Sequence, residues 1–439
     1  MTMTRYFYFI SMLAVMSSAL AQDNTKGYYK DVFVDGGIYL TSRNDLPAVR
    51  YMGLTMESFL CGPATVEQKA NYNYTDSLLQ KELFAGSAID ENGVLLYPDG
   101  APRFRMLYTN GGRSWKHART VTEKGNQHIN DYINHGGSYV GTCAGAFLAS
   151  KAVVSTGKPT YVGLYYSIWP GYTCHTGLSY SSTTVSLEKK SPLLKYADFG
   201  KDMQVDSVRH NGGGFAVIDS MYPEGTEILA RYYTIGRKLR KDIHGKPVIW
   251  AYKTDENAGR IVMCGSHPEA VETGERLDLM AAMMRYAMEG NGTPRAKGKL
   301  ENGVERKMYC FTHDNNPDFT AIGDKQYHHF VIDVPKGAGK ITLSLKAKPG
   351  YSNYDLFLLA QPQKFAYLDE ALYKNTALGS EKKLVITQPK AGKMYLSVFC
   401  NTTVDTVETK YGTSYTGRTD VLNGVPYSIL AEIEMKENK

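Results

Sequence analysis

The sequence predicts two domains, a three-layer α/β sandwich on a parallel sheet followed by an antiparallel β-sandwich. The chain has 439 residues, which is too long for one ordinary core. Up to about residue 290, short apolar runs that end in tight turns alternate with helical patterns, as in a parallel sheet covered on both faces. Beyond that point the runs are short, alternating in polarity and bounded by Pro, Gly and Asn, as in an antiparallel sandwich.

The first domain is placed at residues 22–292 by four strand-and-turn units and one helix. The strand-and-turn units are KDVFVDGG (30–37), RFRMLYTNGG (103–112), GGSYVGTCAG (136–145) and GRIVMCGSHPE (259–269). The segment RLDLMAAMMRYAMEG (276–290) has helical spacing and ends in glycine. Its methionines are predicted to fill a core, because flexible thioether side chains pack well there.

The second domain is predicted at residues 325–439, after a linker and lead-in at 293–324. Its predicted strands are HHFVIDVP, KITLSLKAKPG, YDLFLLAQ, KKLVITQP, KMYLSVFC and VPYSILAEIEM, and only KFAYLDEALYK has helical spacing. Because the linker is polar and no motif follows it, we expect the first domain to fold without the second. His328 and His329 are adjacent on a strand, so they face opposite sides and cannot share a metal.

The first 21 residues have the pattern of a secretory signal peptide. Arg5 precedes an apolar run, and Ala19-Leu20-Ala21 supplies a small-residue cleavage site. We therefore expect export, to the periplasm or the medium, after cleavage near Ala21. No later segment is long and apolar enough to predict a transmembrane helix.

Charge and cysteine spacing exclude some classes of function. The formal charge of +6 is small for this length and forms no dense basic run, so we expect no nucleic-acid partner. No Cys-x-x-Cys pair occurs, and we expect neither a metal nor an organic cofactor. The six cysteines, Cys61, Cys143, Cys174, Cys264, Cys310 and Cys400, permit disulfides in an exported protein, and Cys310 with Cys400 is the first pair to test.

A cysteine between small residues, in GTCAGAFLAS (141–150), is the first candidate for chemistry. Gly141, Ala144 and Gly145 suit a sharp turn between a strand and a helix, where larger neighbours would clash. Such a turn lifts Cys143 above the sheet edge, as in the nucleophile elbow of serine hydrolases. A buried structural cysteine is the alternative.

A nucleophilic cysteine needs a base, and GSHPE (265–269) supplies one with an orienting carboxylate. His267 and Glu269 follow another predicted strand, and the carboxyl ends of parallel strands meet at one edge of a sheet. In extended chain residues two apart share a side, so Glu269 can hold the ring of His267. A surface turn is the alternative for this segment taken alone.

These motifs together carry a family resemblance over roughly residues 28–290. The segments GGRSW (111–115), GGSYVGTCAGAF (136–147), HNGGGF (210–215) and GSHPE (265–269) resemble, in order, those of the class I glutamine amidotransferase-like superfamily. They are most similar to the domain at the N-terminus of some biotin-protein ligases. The resemblance implies a flavodoxin-like α/β sandwich in which Cys143 is the nucleophile, His267 the base and Glu269 its orienter. It also implies an oxyanion hole from Gly111, Gly112 and the N–H of Ala144.

The resemblance leaves the substrate open. The motifs of a biotin-ligase catalytic domain or a synthetase domain do not follow, and ATP is scarce outside the cytoplasm, so the signal pattern disfavours ammonia transfer. We expect a cysteine-dependent hydrolase of amide or peptide bonds that works through a thioester. The alternative is a binding module with a vestigial site.

Weaker expectations concern substrate contacts and the second domain. One wall of the site could be formed by Asn211, Gly212 and Gly213, since glycines let the backbone approach a ligand. A plain turn explains these residues equally well. Arg113 could pair with a substrate carboxylate, or be a surface arginine. The C-terminal part loosely resembles the prepeptidase C-terminal β-sandwich, which implies contact with a cell-surface or glycan partner and no catalytic residue.

Overall fold

The structure is a computed structural model that describes residues 22–36, 46–59, 83–155, 158–162, 165–219, 222–236, 242–409 and 412–437. The predicted signal peptide and Cys61 lie outside these residues. No described helix is long and apolar enough to cross a membrane.

The α/β part contains thirteen strands within these described ranges. They are β1 (Lys30–Asp35), β2 (Met56–Phe59), β3 (Phe104–Thr109), β4 (Ser138–Thr142), β5 (Ser150–Ser155), β6 (Lys158–Val162), β7 (Trp169–His175), β8 (Ser181–Leu187), β9 (Gln204–His210), β10 (Gly214–Ala216), β11 (Glu227–Ile235), β12 (Pro247–Tyr252) and β13 (Ile261–Cys264). Its helices are α1 (Pro47–Met52), α2 (Ser114–Thr120), α3 (Thr122–Asn134), α4 (Ala144–Ala149) and α5 (Glu275–Glu289).

The remaining strands belong to the C-terminal part. They are β14 (Gly298–Lys299), β15 (Arg306–Met308), β16 (Tyr327–Val334), β17 (Ala338–Ala347), β18 (Leu356–Pro362), β19 (Tyr373–Asn375), β20 (Lys382–Thr387), β21 (Gly392–Cys400), β22 (Asp405–Thr409), β23 (Gly412–Thr416) and β24 (Tyr427–Met435).

One large sheet organises the first part. Its order is β22-β23-β2-β1-β3-β4-β13-β12-β11-β8-β9. The central neighbours β2, β1, β3, β4 and β13 are parallel, whereas β12, β11, β8 and β9 extend the sheet antiparallel. The predicted α/β class is confirmed, and the sheet is mixed rather than wholly parallel. A smaller sheet, β10-β7-β5-β6, lies beside it.

Alternation along the central strands produces the three layers. Val32 points into a core that it shares with α1 and α5, while the next residue, Phe33, points into a second core with α3 and α4. The predicted helix at 276–290 is α5, which begins one residue earlier and is capped by Gly290. Its methionines are buried as predicted.

The C-terminal part is the predicted antiparallel sandwich. Two sheets, β14-β16-β21-β18-β19 and β15-β24-β17-β20, enclose one apolar core. All six predicted strands are present. The helical expectation for KFAYLDEALYK is wrong, because Phe365, Ala366 and Tyr367 bury their side chains from a loop before β19. The five described cysteines are free, so Cys310 and Cys400 are not joined in this structure.

The two parts share a sheet edge and a buried ion pair. The hairpin β22–β23 pairs with β2 through Phe59 and Gly412. Arg103, which precedes β3, donates to Asp324 at 2.6 Å and to the hydroxyl of the half-buried Tyr415 at 3.1 Å, and the side chains of Arg103 and Asp324 are buried. These contacts argue against the expectation that residues 22–292 fold unaided, because their loss uncovers the β2 edge and the Arg103 charge.

Candidate active site

Three neighbouring strands deliver the predicted site residues to one edge of the sheet. The strands β3, β4 and β13 are adjacent and parallel, and they end at Thr109, Thr142 and Cys264. Their following loops carry Gly111, Cys143 and His267, respectively. The structure therefore places the three motifs at one edge of the sheet, as expected for the carboxyl ends of adjacent parallel strands.

Cys143 occupies a strained turn between β4 and α4. Its φ of 47° and ψ of −99° are unusual for a residue with a side chain. The small neighbours are required by close approaches: a Cβ at Gly141 would lie 2.6 Å from the carbonyl carbon of Gly145, and one at Gly145 would lie 2.2 Å from the carbonyl oxygen of Thr109. The strain resembles that of a nucleophile elbow and presents the sulfur at the sheet edge.

His267 lies beside Cys143 and is held by Glu269. The Nδ1 atom of His267 is 2.8 Å from Oε1 of Glu269, and both side chains are mostly buried. Burial alone would lower the pKa of His267, but the Glu269 carboxylate and the Cys143 side chain outweigh burial and raise this pKa to about 10. The arrangement therefore favours the charged form of the His267 ring next to the Cys143 side chain.

Gly111 packs closely against the imidazole of His267 and the side chain of Cys143. A Cβ placed there would lie 2.3 Å from Cε1 of His267 and 3.4 Å from Cβ of Cys143. Only a glycine lets the chain pass this close to both side chains. Gly112 follows with a φ of 153°. The N–H of Ala144 is the first of α4 and has no intrahelical acceptor, so it is free to bind an oxygen.

Alanine at position 111 is expected to displace the His267 ring, because its Cβ would overlap Cε1. We predict that G111A slows alkylation of Cys143 by iodoacetamide about ten- to a hundredfold, the range expected for a displacement of about 1 Å. Gly339→Ala, in the C-terminal sandwich, is the control, since its Cβ would lie no closer than 3.3 Å to the side chain and backbone of Lys436. Equal alkylation rates in G111A and wild type would show that the ring does not need this gap.

The loop after β9 forms a wall of the site. The sulfur of Cys143 donates a 3.6 Å hydrogen bond to the carbonyl oxygen of Asn211. Gly212 has a φ of 69°, and a Cβ at Gly213 would lie 1.6 Å from the carbonyl oxygen of Gly265. These glycines therefore let the loop close against the chain that leads to His267. By contrast, Arg113 is exposed at the start of α2.

A buried network behind His267 was missed at the sequence level. Thr176 donates to the carbonyl oxygen of Gly213, so its oxygen accepts from Nε2 of His210 at 2.9 Å. The other ring nitrogen of His210 lies 3.2 Å from Oγ of Ser266. Burial, followed by the neighbouring histidines, lowers the pKa of His210 to about 4, so this ring stays neutral. Only the position of His210 beside Asn211 pointed to it.

A second buried cluster anchors the loop that contains Gly111. His117 of α2 and the hydroxyl of Tyr166 lie 2.8 Å and 3.0 Å from Oδ2 of Asp35, at the end of β1. The N–H of Asn110 also donates to the carbonyl oxygen of Asp35. These contacts tie both ends of the Gly111 loop to β1. Within the described ranges no three acidic, His or Cys side chains are grouped to bind a metal ion.

The fold and the arrangement of the motifs are similar to those of class I glutamine amidotransferase-like domains. Residues 72–289 match the family described as biotin-protein ligase, N terminal, which confirms the branch that the motifs predict. Together they indicate amidotransferase-type hydrolase or ligase-like chemistry. No curated protein matches the chain.

Solved structures are similar to each part separately. A glutamine amidotransferase is 15% identical, with a TM-score of 0.34, over 59% of this chain and 97% of that one. The pre-peptidase C-terminal domain of a Bacillus anthracis collagenase is 14% identical, with a TM-score of 0.19, over 32% and 100%. PliG of Aeromonas hydrophila, a periplasmic inhibitor of g-type lysozyme, is 17% identical, with a TM-score of 0.19, over 31% and 94%. At these TM-scores the fold assignment rests on the sheet order.

Proposed function

We propose that the protein is an exported, cysteine-dependent hydrolase of amide or peptide bonds, in which Cys143 is the nucleophile. The observation that carries this proposal is the position of the His267 ring, which packs against Gly111 beside Cys143 and is held by Glu269. This is the order of nucleophile, base and orienter that thiol catalysis requires. Export is supported by the signal pattern of residues 1–21.

The proposed reaction has two stages. The Cys143 thiolate attacks the substrate carbonyl carbon, the C–N bond breaks, and the imidazolium of His267 gives its proton to the departing nitrogen. The result is a thioester on Cys143 and a free amine. His267 then takes a proton from water as the water attacks the thioester, which releases a carboxylic acid and restores the Cys143 thiolate beside the His267 imidazolium. Glu269 orients the ring and stabilises its charged form throughout.

The loops around Cys143 supply the remaining roles. The N–H groups of the Gly111–Gly112 loop and of Ala144 are proposed to bind the oxyanion of each tetrahedral intermediate. The Asn211–Gly213 backbone is proposed to line the acyl side, where the Asn211 carbonyl already accepts from the Cys143 sulfur. Arg113 is exposed and follows Gly112 directly in the chain, and we propose that it pairs with a substrate carboxylate.

The test compares wild type with Cys143→Ala on a pool of peptides, glutamine and cell-wall fragments. We expect amide-bond products from wild type alone. Cys174→Ala is the matched control, because Cys174 is a half-buried free thiol on the neighbouring strand β7, and it should keep full activity. If wild type and C143A both retain a ligand and neither forms a product, the protein is a binding module with a vestigial site and not a hydrolase.

The pH dependence of stability tests the pairing of His267 with Glu269. Because the pKa of His267 is raised from 6.5 to about 10, the pairing stabilises the fold fully below pH 6.5 and loses this effect as pH rises towards 10. We predict that Glu269→Gln lowers the free energy of unfolding by about 2 kcal/mol at pH 6 and by much less at pH 10. Urea unfolding at both values measures this, and a constant difference would contradict it.

A further inference from the structure

A cavity of about 500 Å³ lies at the junction of the two domains, remote from Cys143. It is lined by Tyr28, by the loop before β3, by the segment after α5 and by the start of β16. Cys143 lies at the carboxyl ends of the parallel strands, whereas this cavity lies beyond their amino ends. Since those strands have five or six residues, the two places are about 20 Å apart. The volume is within the range of about 300–1,000 Å³ that small-molecule sites span.

The charged groups inside the cavity wall are paired with one another. Lys26 lies 2.6 Å from Asp369 and 3.4 Å from Glu370. Lys297 forms an ion pair with Asp99 and also donates to the carbonyl oxygen of Pro317 at 2.7 Å. The exposed Arg295 and Asp318, which have opposite charges, lie among the outer lining residues. A ligand of this cavity therefore meets no net charge and is favoured if it is neutral.

Three neutral side chains line the cavity, and each has one polar atom without a hydrogen-bond partner in the described residues. Gln326 is only 2% exposed; its Oε1 accepts from the N–H of Gly323, and its Nε2 makes no hydrogen bond. The Nδ1 of His329 is bonded to Oγ of Ser397 at 2.7 Å, and Nε2 makes no hydrogen bond. Burial, then Lys297, lowers the pKa of His329 to about 3, so its ring is neutral. The hydroxyl of Tyr28 is likewise unbonded.

Aromatic side chains hold these groups rigidly. The ring of His329 stacks on Phe365 with centroids 4.0 Å apart and planes inclined by 2°. Tyr327, another lining residue, stacks on Phe399 at 4.4 Å. Tyr367 also lines the cavity and packs edge-on against both His329 and Tyr327. The stacked rings of His329 and Tyr327 are therefore held in place, and the wall combines rigid aromatic side chains with unsatisfied neutral donors and acceptors, in a site formed before any ligand binds.

We propose that this cavity binds a short neutral saccharide. A sugar ring presents apolar C–H faces that pack on aromatic surface and, around its edge, hydroxyl groups that both donate and accept. Those hydroxyls match the amide of Gln326, the free nitrogen of His329 and the hydroxyl of Tyr28. An acidic ligand would find both lysines of the wall, Lys26 and Lys297, already paired with carboxylates. The inference is independent of the proposed hydrolase, and it gives the expected glycan contact a location between the domains.

Calorimetric titration of the full chain tests the proposal, with cellobiose, maltose and diacetylchitobiose as neutral probes and digalacturonate as the acidic one. We expect at least one neutral disaccharide to bind and digalacturonate to bind more weakly. Tyr28→Phe removes one unbonded hydroxyl without disturbing a protein contact, and should weaken binding about fivefold, the value of one hydrogen bond. Tyr233→Phe, at an exposed tyrosine of β11, should change nothing.

Cys143→Ala separates this proposal from the hydrolase, because it should bind the same saccharide with unchanged affinity. Gln326→Met, checked for an unchanged melting temperature, gives a second test at a buried position. Failure of all three neutral disaccharides to bind would overturn the proposal. So would tighter binding of digalacturonate, or affinity that survives both Y28F and Q326M.

Discussion

Alanine in place of His267 is expected to slow alkylation of Cys143 by iodoacetamide at pH 6 about a hundredfold. A thiol with the ordinary pKa of about 8.5 is less than about 1% ionised at this pH, and only the thiolate reacts. In wild type the Glu269 carboxylate holds a proton on the His267 ring, and we propose that this charged ring beside the sulfur speeds the reaction of Cys143. Without the ring, Cys143 should react as slowly as a model thiol.

His175→Ala is the matched control for this experiment. His175 stacks on Phe147 of α4 with centroids 5.6 Å apart, so it lies near the same helix without bonding to Cys143. We expect its alkylation rate to stay within a factor of about two of wild type, measured by mass spectrometry of the Cys143 peptide. If wild type itself reacts no faster than a model thiol, the catalytic role of Cys143 loses its support.

Replacement of Asp324 by asparagine is expected to lower the free energy of unfolding by about 3 kcal/mol. Asp324 is the carboxylate within 2.6 Å of the Arg103 guanidinium, and both side chains are at most 2% exposed. Removal of one partner leaves a buried charge that water cannot reach, which costs about 3–5 kcal/mol. We expect a loss at the lower end of this range because Tyr415 still links Arg103 to Glu57.

Glu434→Gln provides the contrasting surface pair. Its carboxylate lies 2.7 Å from Lys340, but the two side chains are 61% and 38% exposed. Solvent screening limits such a pair to less than about 1 kcal/mol. Denaturant unfolding of the full chain measures both variants. Equal, small losses would mean that the ion pair between the domains does not hold them together.

The site was predictable because its geometry follows from chain topology. Parallel neighbours end at one sheet edge, so the motifs after β3, β4 and β13 had to meet once those runs were recognised as adjacent strands. The small residues around Cys143 predicted the sharp turn because larger side chains would clash there. The close approaches at Gly141 and Gly145 have the same cause. The roles of Cys143, His267 and Glu269 stay predictions.

Other features depend on contacts that local patterns do not encode. The antiparallel extension by β12, β11, β8 and β9 was missed because an apolar run does not specify the direction of its neighbour. The hairpin β22–β23 pairs with a strand some 350 residues earlier in the chain. The residues of β22 are largely exposed, so their sequence shows no apolar pattern that would indicate this pairing. His210 was missed because a buried neutral histidine has no sequence signature of its own.

The most direct test of the central claim is the mass of Cys143 during turnover. Wild type would be mixed with the peptide and glutamine pool, quenched in acid and digested, and the Cys143 peptide analysed by mass spectrometry. We predict an added acyl mass on Cys143 that neutral hydroxylamine removes, as it does a thioester, and that Cys143→Ala never shows. Product formation by C143A at the wild-type rate, or turnover by wild type with an unmodified Cys143 at every quench time, would contradict the account.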